Sequence, residues 1–274
     1  MRHLSFLKFF LFSALLCTCV YAYDVHNGAT ALIELDKLHT HSLRKNGVSL
    51  PLLSHPTKPD AYISFIAIPY TQTSPIELLH VSKDANRTVV LNILKGDYPK
   101  EVLHVEPSKV SPPKEVMGRI KRERDEAMAI YNASTPKRFW KTPFELPLDS
   151  VITSAYGSAR LFNDTLKSYH SGTDFRAPIG TPVRASNDGV VVLAKERYYA
   201  GGSLVVDHGE GIYSVYYHLS TVHVSKGESV KKGDEIGLSG ASGRVSGPHV
   251  HFGFMVGGIP VDPLDFIAKV KAIY

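Results

Sequence analysis

Beyond residue 22 the chain contains no cysteine; its two, Cys17 and Cys19, both lie before that point. A thiolate nucleophile, a cysteine-bound metal and a disulfide framework are therefore excluded from the remainder, which must be held by its core. Long apolar runs are also scarce. The longest, over residues 9–20, is shorter than the roughly 20 residues that cross a bilayer, and no second run approaches that length. There is no His-Glu-x-x-His pattern, so a helix-borne zinc site with a glutamate base is absent. There is no nucleic-acid motif and no long basic run, so no nucleic-acid partner is expected.

What is present begins with a leader. Arg2, His3 and Lys8 precede the short apolar run, which leads into Val20-Tyr21-Ala22. A basic start, a short apolar stretch and small residues at the end predict a secretory signal peptide over residues 1–22. Leu16 and Thr18, not the small residue that a lipidated cysteine follows, precede Cys17 and Cys19. Loss of Arg2 and Lys8 lowers the formal charge from +5 to about +3. The 274 residues, 43% hydrophobic and 21% charged, suit one or two soluble globular domains. A monomer is expected, exported to the periplasm, with no stable membrane insertion once the leader is removed.

The mature chain reads as mainly β. Candidate strands at 31–35, 48–53, 61–68, 76–81, 88–94 and 102–105 are rich in β-branched and aromatic residues and are separated by turn signals. They predict a small N-terminal β domain over residues 23–110. Residues 111–147 read as a connection, with a helix over 114–131 and a proline-rich linker at 132–147. Val116, Ile120, Ala127 and Ile130 approximate its apolar stripe. Residues 148–274 read as a C-terminal antiparallel β domain, its strands punctuated by Asn187-Asp188-Gly189, Gly201-Gly202 and Gly257-Gly258.

Within that last domain the chemistry-bearing residues gather. Residues two apart on a strand share a face, so His249 and His251 aim two imidazoles at one point. His170-Ser171-Gly172-Thr173-Asp174 adds a further imidazole and a carboxylate. Two imidazoles and one carboxylate form the open shell of a catalytic zinc, whose fourth position takes water. A base for that water and a donor for the oxyanion are also needed, and His218 and His249 are the candidates. His39 and His41 repeat the two-residue interval without an evident acidic partner and read as surface.

Taken together, these words resemble the lysostaphin- or LytM-type zinc metallopeptidases, a family that cleaves peptidoglycan peptides. The likeness runs from about Ser154 to Pro263. It is carried by Ser154-Ala155-Tyr156-Gly157, His170 to Phe175, Asn187-Asp188-Gly189, Tyr216-Tyr217-His218-Leu219, Ser242-Gly243-Arg244 and Gly247-Pro248-His249-Val250-His251-Phe252. The resemblance implies zinc bound by His170, Asp174 and His251, with His249 acting on the attacking water and His218 stabilising the tetrahedral intermediate. His208 matches a turn position and His223 nothing catalytic. In one respect the chain departs from the family: Gly253 stands where a glutamate commonly follows His-x-His-Phe, so an orienting carboxylate must come from elsewhere or be missing.

The expectation is an exported zinc endopeptidase of cell-wall remodelling, acting on peptidoglycan stem peptides. Its bond would be the cross-link from D-alanine to meso-diaminopimelate (D,D-endopeptidase), with D,D-carboxypeptidase trimming beside it. The alternative is a non-catalytic wall-binding or hydrolase-activating protein on the same fold, which the intact set of histidines disfavours. A carrier domain is a third reading, because residues 226–237 resemble a biotinyl or lipoyl hairpin, but no lysine-bearing tip follows. Domains placed ahead of a hydrolase often limit access, so a chain beginning near Leu148 is expected to cleave small peptides faster.

Overall fold

The computed structural model describes residues 20–274. The leader expected at 1–22 thus lies outside the described residues, apart from Val20, Tyr21 and Ala22. Those three open the strand Val20–His26, which runs parallel to Arg87–Leu94. Among the described residues no helix is long and apolar enough to cross a membrane.

The N-terminal part holds two sheets. One orders Val20–His26, Arg87–Leu94, Ile76–Ser82, Thr40–Lys45 and Val48–Ser49; the other orders Thr30–Asp36, Ala61–Ala67 and Leu53–Ser54. Ile76–Ser82 begins with alternating buried and exposed residues, the pattern of a sheet with one wet face. The single strand expected at 48–53 is instead two short pieces on either side of Pro51, which has no N–H to give a ladder. Thr40–Lys45 was not anticipated, because only Thr40 and Leu43 of its polar sequence are buried.

Ala61–Ala67 is the hinge of the packing. Ile66 faces an N-terminal core with Ile33, Leu43, Leu78 and Leu91, and Ile68 just beyond the strand joins it. Ile63 and Ala67 on its other face belong to the large core of the C-terminal part, and Phe65 packs edge-on to Phe266 at 5.4 Å. A strand covered on both faces needs apolar residues at nearly every position, which is what Ala61-Tyr62-Ile63-Ser64-Phe65-Ile66-Ala67 supplies. The hydrophobic core therefore runs continuously across residue 110.

The C-terminal part is a ten-stranded sheet. Its central path runs Ile152–Ser154, Thr173–Arg176, His249–Val256, Ile212–Val222, Gly201–Asp207 and Gly189–Arg197. One face packs Val250, Phe252, Phe254, Leu204, Val206 and Tyr216 into the large core, with Trp140 and Phe144. Residues 132–147 are thus tied into the protein: Trp140 is fully buried and Phe144 nearly so. The opposite face carries Leu193, Val205, Tyr213 and Val215, against which the helix Lys114–Tyr131 lays Ala127 and Tyr131. That helix turns Lys121 and Asp125 outward as an i,i+4 pair, while Glu123, paired with Arg119, also accepts from Tyr198 N.

Candidate metal centre and active site

The face that receives the helix also carries the site. Along His249–Val256 the residues Val250, Phe252 and Phe254 enter the core, so His249 and His251 point to the other side. In the antiparallel register Asp174 lies directly opposite His251 on one flank and Tyr217 on the other. Cross-strand partners have adjacent Cβ atoms, and Asp174 Oδ1 is 3.0 Å from His251 Nδ1. His170 arrives from the end of the neighbouring hairpin, with its Nε2 2.9 Å from both His251 Nδ1 and Asp174 Oδ1. The glycine in the His-Ser-Gly-Thr-Asp word has a steric cause: a Cβ on Gly172 would fall 2.5 Å from Phe252 O and 2.6 Å from His251 Nε2.

The three donors are almost sealed from water, at 1% exposure for His170, 5% for Asp174 and 6% for His251. Burial opposes a charge on Asp174, but His170 and then His251 outweigh it and hold the carboxyl well below its usual range. Burial pushes His251 down to about 4. His170 Nδ1 lies 3.0 Å from Ala155 O, an atom that only accepts, so the proton sits on Nδ1 and the Nε2 lone pair faces the cluster. These three atoms are the cluster within metal-binding reach among the described residues.

Two more imidazoles stand beside them. His249 is fixed by donation from Nδ1 to Gly247 O at 2.8 Å, and its Nε2 is 3.7 Å from Asp174 Oδ1. His218 donates from Nδ1 to Ser242 O at 2.8 Å, and its ring lies 4.7 Å from that of His249. Both therefore present a bare Nε2. His218 reaches the site because the strand bulges: Gly202 pairs with Leu219 but Leu204 with Tyr216, so two residues, Tyr217 and His218, oppose Ser203. A bulge re-aims side chains, and His218 adopts φ +64°, uncommon outside glycine. Burial, then the neighbouring His249, pushes His218 down to about 3.

Several residues join the site that spacing alone does not reveal. Arg160 donates to Asp174 Oδ2 at 2.6 Å, to Ser154 Oγ at 2.7 Å and to Glu101 Oε2 at 3.0 Å. Ser154 Oγ also donates to Glu101 at 2.7 Å and lies 3.1 Å from His170 Nδ1. Glu101 comes from Lys100–Leu103, which adds in parallel to the hairpin strand Ala159–Phe162. Gly253 itself has little room, since a Cβ there would lie 3.2 Å from Val215 Cγ2 and 3.3 Å from Ser171 O. The carboxylate behind the donors is thus supplied from outside the C-terminal part. Tyr217 stacks on His251 at 5.2 Å and meets the Tyr131 hydroxyl of the helix at 2.6 Å. Tyr216, the other tyrosine of that word, is buried in the core and accepts from Ser186 N.

The other histidines weighed from the sequence lie elsewhere. His208 is fully buried between Asp188 O and the Ser214 hydroxyl, and burial pushes it down to about 4. His223 is exposed beside Glu235, and His39 is exposed beside Asp36. His41 is exposed as well.

Three convergent buried donors beside two imidazoles with bare Nε2 atoms, on a central strand of the sheet, are the arrangement that a metal-dependent hydrolase requires. Residues 168–263 match the model of Peptidase family M23, a segment that includes all five of these residues. Over 121 residues the chain is 46% identical to peptidoglycan DD-endopeptidase ShyA of Vibrio cholerae, covering 43% of this chain and 28% of that protein. Over 96 residues it is 40% identical to DD-carboxypeptidase/endopeptidase Mpg of Neisseria meningitidis, covering 35% of this chain and 22% of that protein. The matched segment thus spans less than a third of these curated relatives. A crystal structure of a candidate M23 peptidase from Pseudomonas aeruginosa superposes with a TM-score of 0.66 at 26% identity, over 88% of this chain and 93% of that one.

Proposed function

We propose that the protein is an exported zinc endopeptidase that hydrolyses peptidoglycan peptide cross-links at the bond between D-alanine and meso-diaminopimelate. Trimming of terminal D-alanine from pentapeptides accompanies it. The observation that carries this reading is the triangle of His170 Nε2, Asp174 Oδ1 and His251 Nδ1, each about 3 Å from the others, beside the bare Nε2 atoms of His218 and His249. The names of the relatives in Vibrio and Neisseria support the substrate and both activities. Export rests on the leader, and the periplasm is where a wall cross-link of this kind is met.

The donor set fits zinc: two imidazole nitrogens and one carboxylate oxygen, with a proton on the far nitrogen of His170 and Arg160 on the far oxygen of Asp174. His170, Asp174 and His251 would hold the ion. When bound, zinc polarises the scissile carbonyl and lowers the pKa of its water to about 7.

The chain's own residues then handle the proton. At rest both His218 and His249 are acceptors at Nε2, because each uses its Nδ1 proton on a backbone carbonyl. His249 takes the proton of the attacking water. His218, whose resting tautomer offers no Nε2 proton, would donate to the oxyanion only after taking over that same proton from the adjacent His249, and this single proton ends on the departing amine. Arg160 and Ser154 orient Asp174 and His170, while Tyr217 holds the His251 ring from the side.

Digestion of purified sacculi followed by muropeptide chromatography tests the reading. Cross-linked dimers should fall, monomers should rise and glycan strands should stay intact. Unchanged dimers in the presence of zinc-loaded protein would overturn it.

A further inference from the structure

Two arginines reach the cavities around the donors, and they differ in one respect. Arg160 is matched by two carboxylates, Glu101 and Asp174. Arg244 has no acid: among the described residues no hydrogen bond or ion pair reaches its guanidinium. Instead the group lies against two rings, 4.3 Å from the centroid of Phe162 and 4.8 Å from that of Tyr199. It lines one cavity with His170, His218 and His251, and a second with Asp174, His218 and His249.

Its backbone is fixed. Arg244 N donates to Tyr199 O at 2.8 Å, and Gly243, at φ +82°, lies so close that a Cβ would fall 2.4 Å from that same oxygen. Ser242, two residues earlier, accepts from Gly202 N through Oγ and takes the His218 Nδ1 proton on its carbonyl. One loop therefore orients His218 and presents Arg244. Burial works against the charge on Arg244; Tyr199 offsets it in part, and Arg160 adds a smaller opposing effect. A planar cation held against aromatic rings, with its fork unused, is preorganised for two parallel bonds to a carboxylate.

We propose that Arg244 is the specificity determinant that binds the carboxylate on the carbon bearing the scissile nitrogen. This rests on the peptidoglycan reading above and deepens it. In the D-alanine–diaminopimelate link, the amide nitrogen is attached to a carbon that carries a free carboxylate. In terminal D-alanyl-D-alanine the same is true. The two bonds share this anion next to the reacting amide, whereas an internal glycyl-glycine bond has none. A single cation beside the donors thus accounts for endopeptidase and carboxypeptidase action in one site, and for rejection of glycine bridges.

The test uses the full zinc-loaded chain and two synthetic cross-linked stem peptides. They differ only in whether the diaminopimelate that gives the scissile nitrogen bears a free carboxylate or a carboxamide. The unaltered protein should favour the carboxylate form by about 10- to 100-fold in kcat/KM, the range of a hydrogen bond to a charged group. In Arg244→Met, with zinc content measured, that preference should collapse to about threefold or less. Arg244→Lys keeps the charge, loses the fork and should narrow the gap without closing it, which serves as the check if Arg244→Met folds poorly. A preference retained in zinc-loaded Arg244→Met would overturn the assignment. So would equal turnover of both peptides by a protein that still cuts sacculus dimers, leaving the endopeptidase reading intact. Failure on both peptides and on sacculi would remove that reading, and this inference with it.

Discussion

The two parts of the molecule bury polar groups very differently. Before residue 110 the buried polar residues are Asn27, Thr30, Thr40, His55 and Ser64, with one ionisable side chain among them. In the C-terminal part His170, Asp174, Asp207, His208, His218 and His251 are all buried. Both parts are β structure with apolar cores, so architecture does not explain the contrast. Burying an ionisable group is costly unless it is bonded or coordinates a metal. His208 is explained by its two hydrogen bonds. His170, Asp174, His218 and His251 converge on one point, and their burial makes sense as chemistry.

Removing a donor is the most severe way to break that contrast. His170→Ala, Asp174→Ala or His251→Ala should each lose most of the zinc, because a two-donor remainder binds poorly, and activity should fall by roughly three orders of magnitude. Zinc analysis with peptide cleavage checks this, and full zinc occupancy in His251→Ala would displace the assignment.

The next largest effect falls on the joint between the two parts. Phe144 packs on Phe254, Phe266 and His208, so Phe144→Ala should cost about 3–5 kcal/mol of stability, measured by denaturant unfolding. For the same reason a chain starting near Leu148, expected from sequence to be faster, lacks Trp140, Phe144, Ile63 and Glu101. Its unfolding midpoint should drop sharply, and a midpoint equal to that of the intact chain would show the sheet to be self-sufficient.

Smaller again, His218→Ala or His249→Ala should keep zinc while turnover falls about a hundredfold. Near-normal rates in both variants at matched zinc content would exclude their role as proton carriers. The mildest change sharpens the comparison most, because it reaches the site from the other part. Glu101→Gln should weaken zinc affinity about tenfold through Arg160 and Ser154. A chelator competition titration reads this directly, and an unchanged affinity would make Glu101 a purely structural contact.

The histidines of the C-terminal part were legible because their positions relative to each other are local. His249 and His251 share a face by the two-residue repeat of a strand, and Gly172 keeps its place by a close approach that no other residue tolerates. The strands at 31–35, 61–68, 76–81 and 88–94 were legible from the same periodicity, and each has a counterpart. Thr40–Lys45 and Val20–His26 were not, the first because it is polar and the second because it begins inside a leader-like run.

By itself, then, the sequence determined a mainly β chain, the histidine and aspartate words that gather in its last part and the lack of cysteine beyond residue 22, all properties of neighbours in the chain or of composition. Only the tertiary structure decided which groups stand behind those residues. Glu101 and Arg160 meet through parallel pairing between strands 59 residues apart in sequence. Tyr131 reaches Tyr217 across 86 residues, and His218 turns inward through a bulge. Arg244 is distinguished from Arg160 only by which carboxylates come near it. Such contacts depend on register and packing between distant segments, and neither leaves a periodic trace in the sequence.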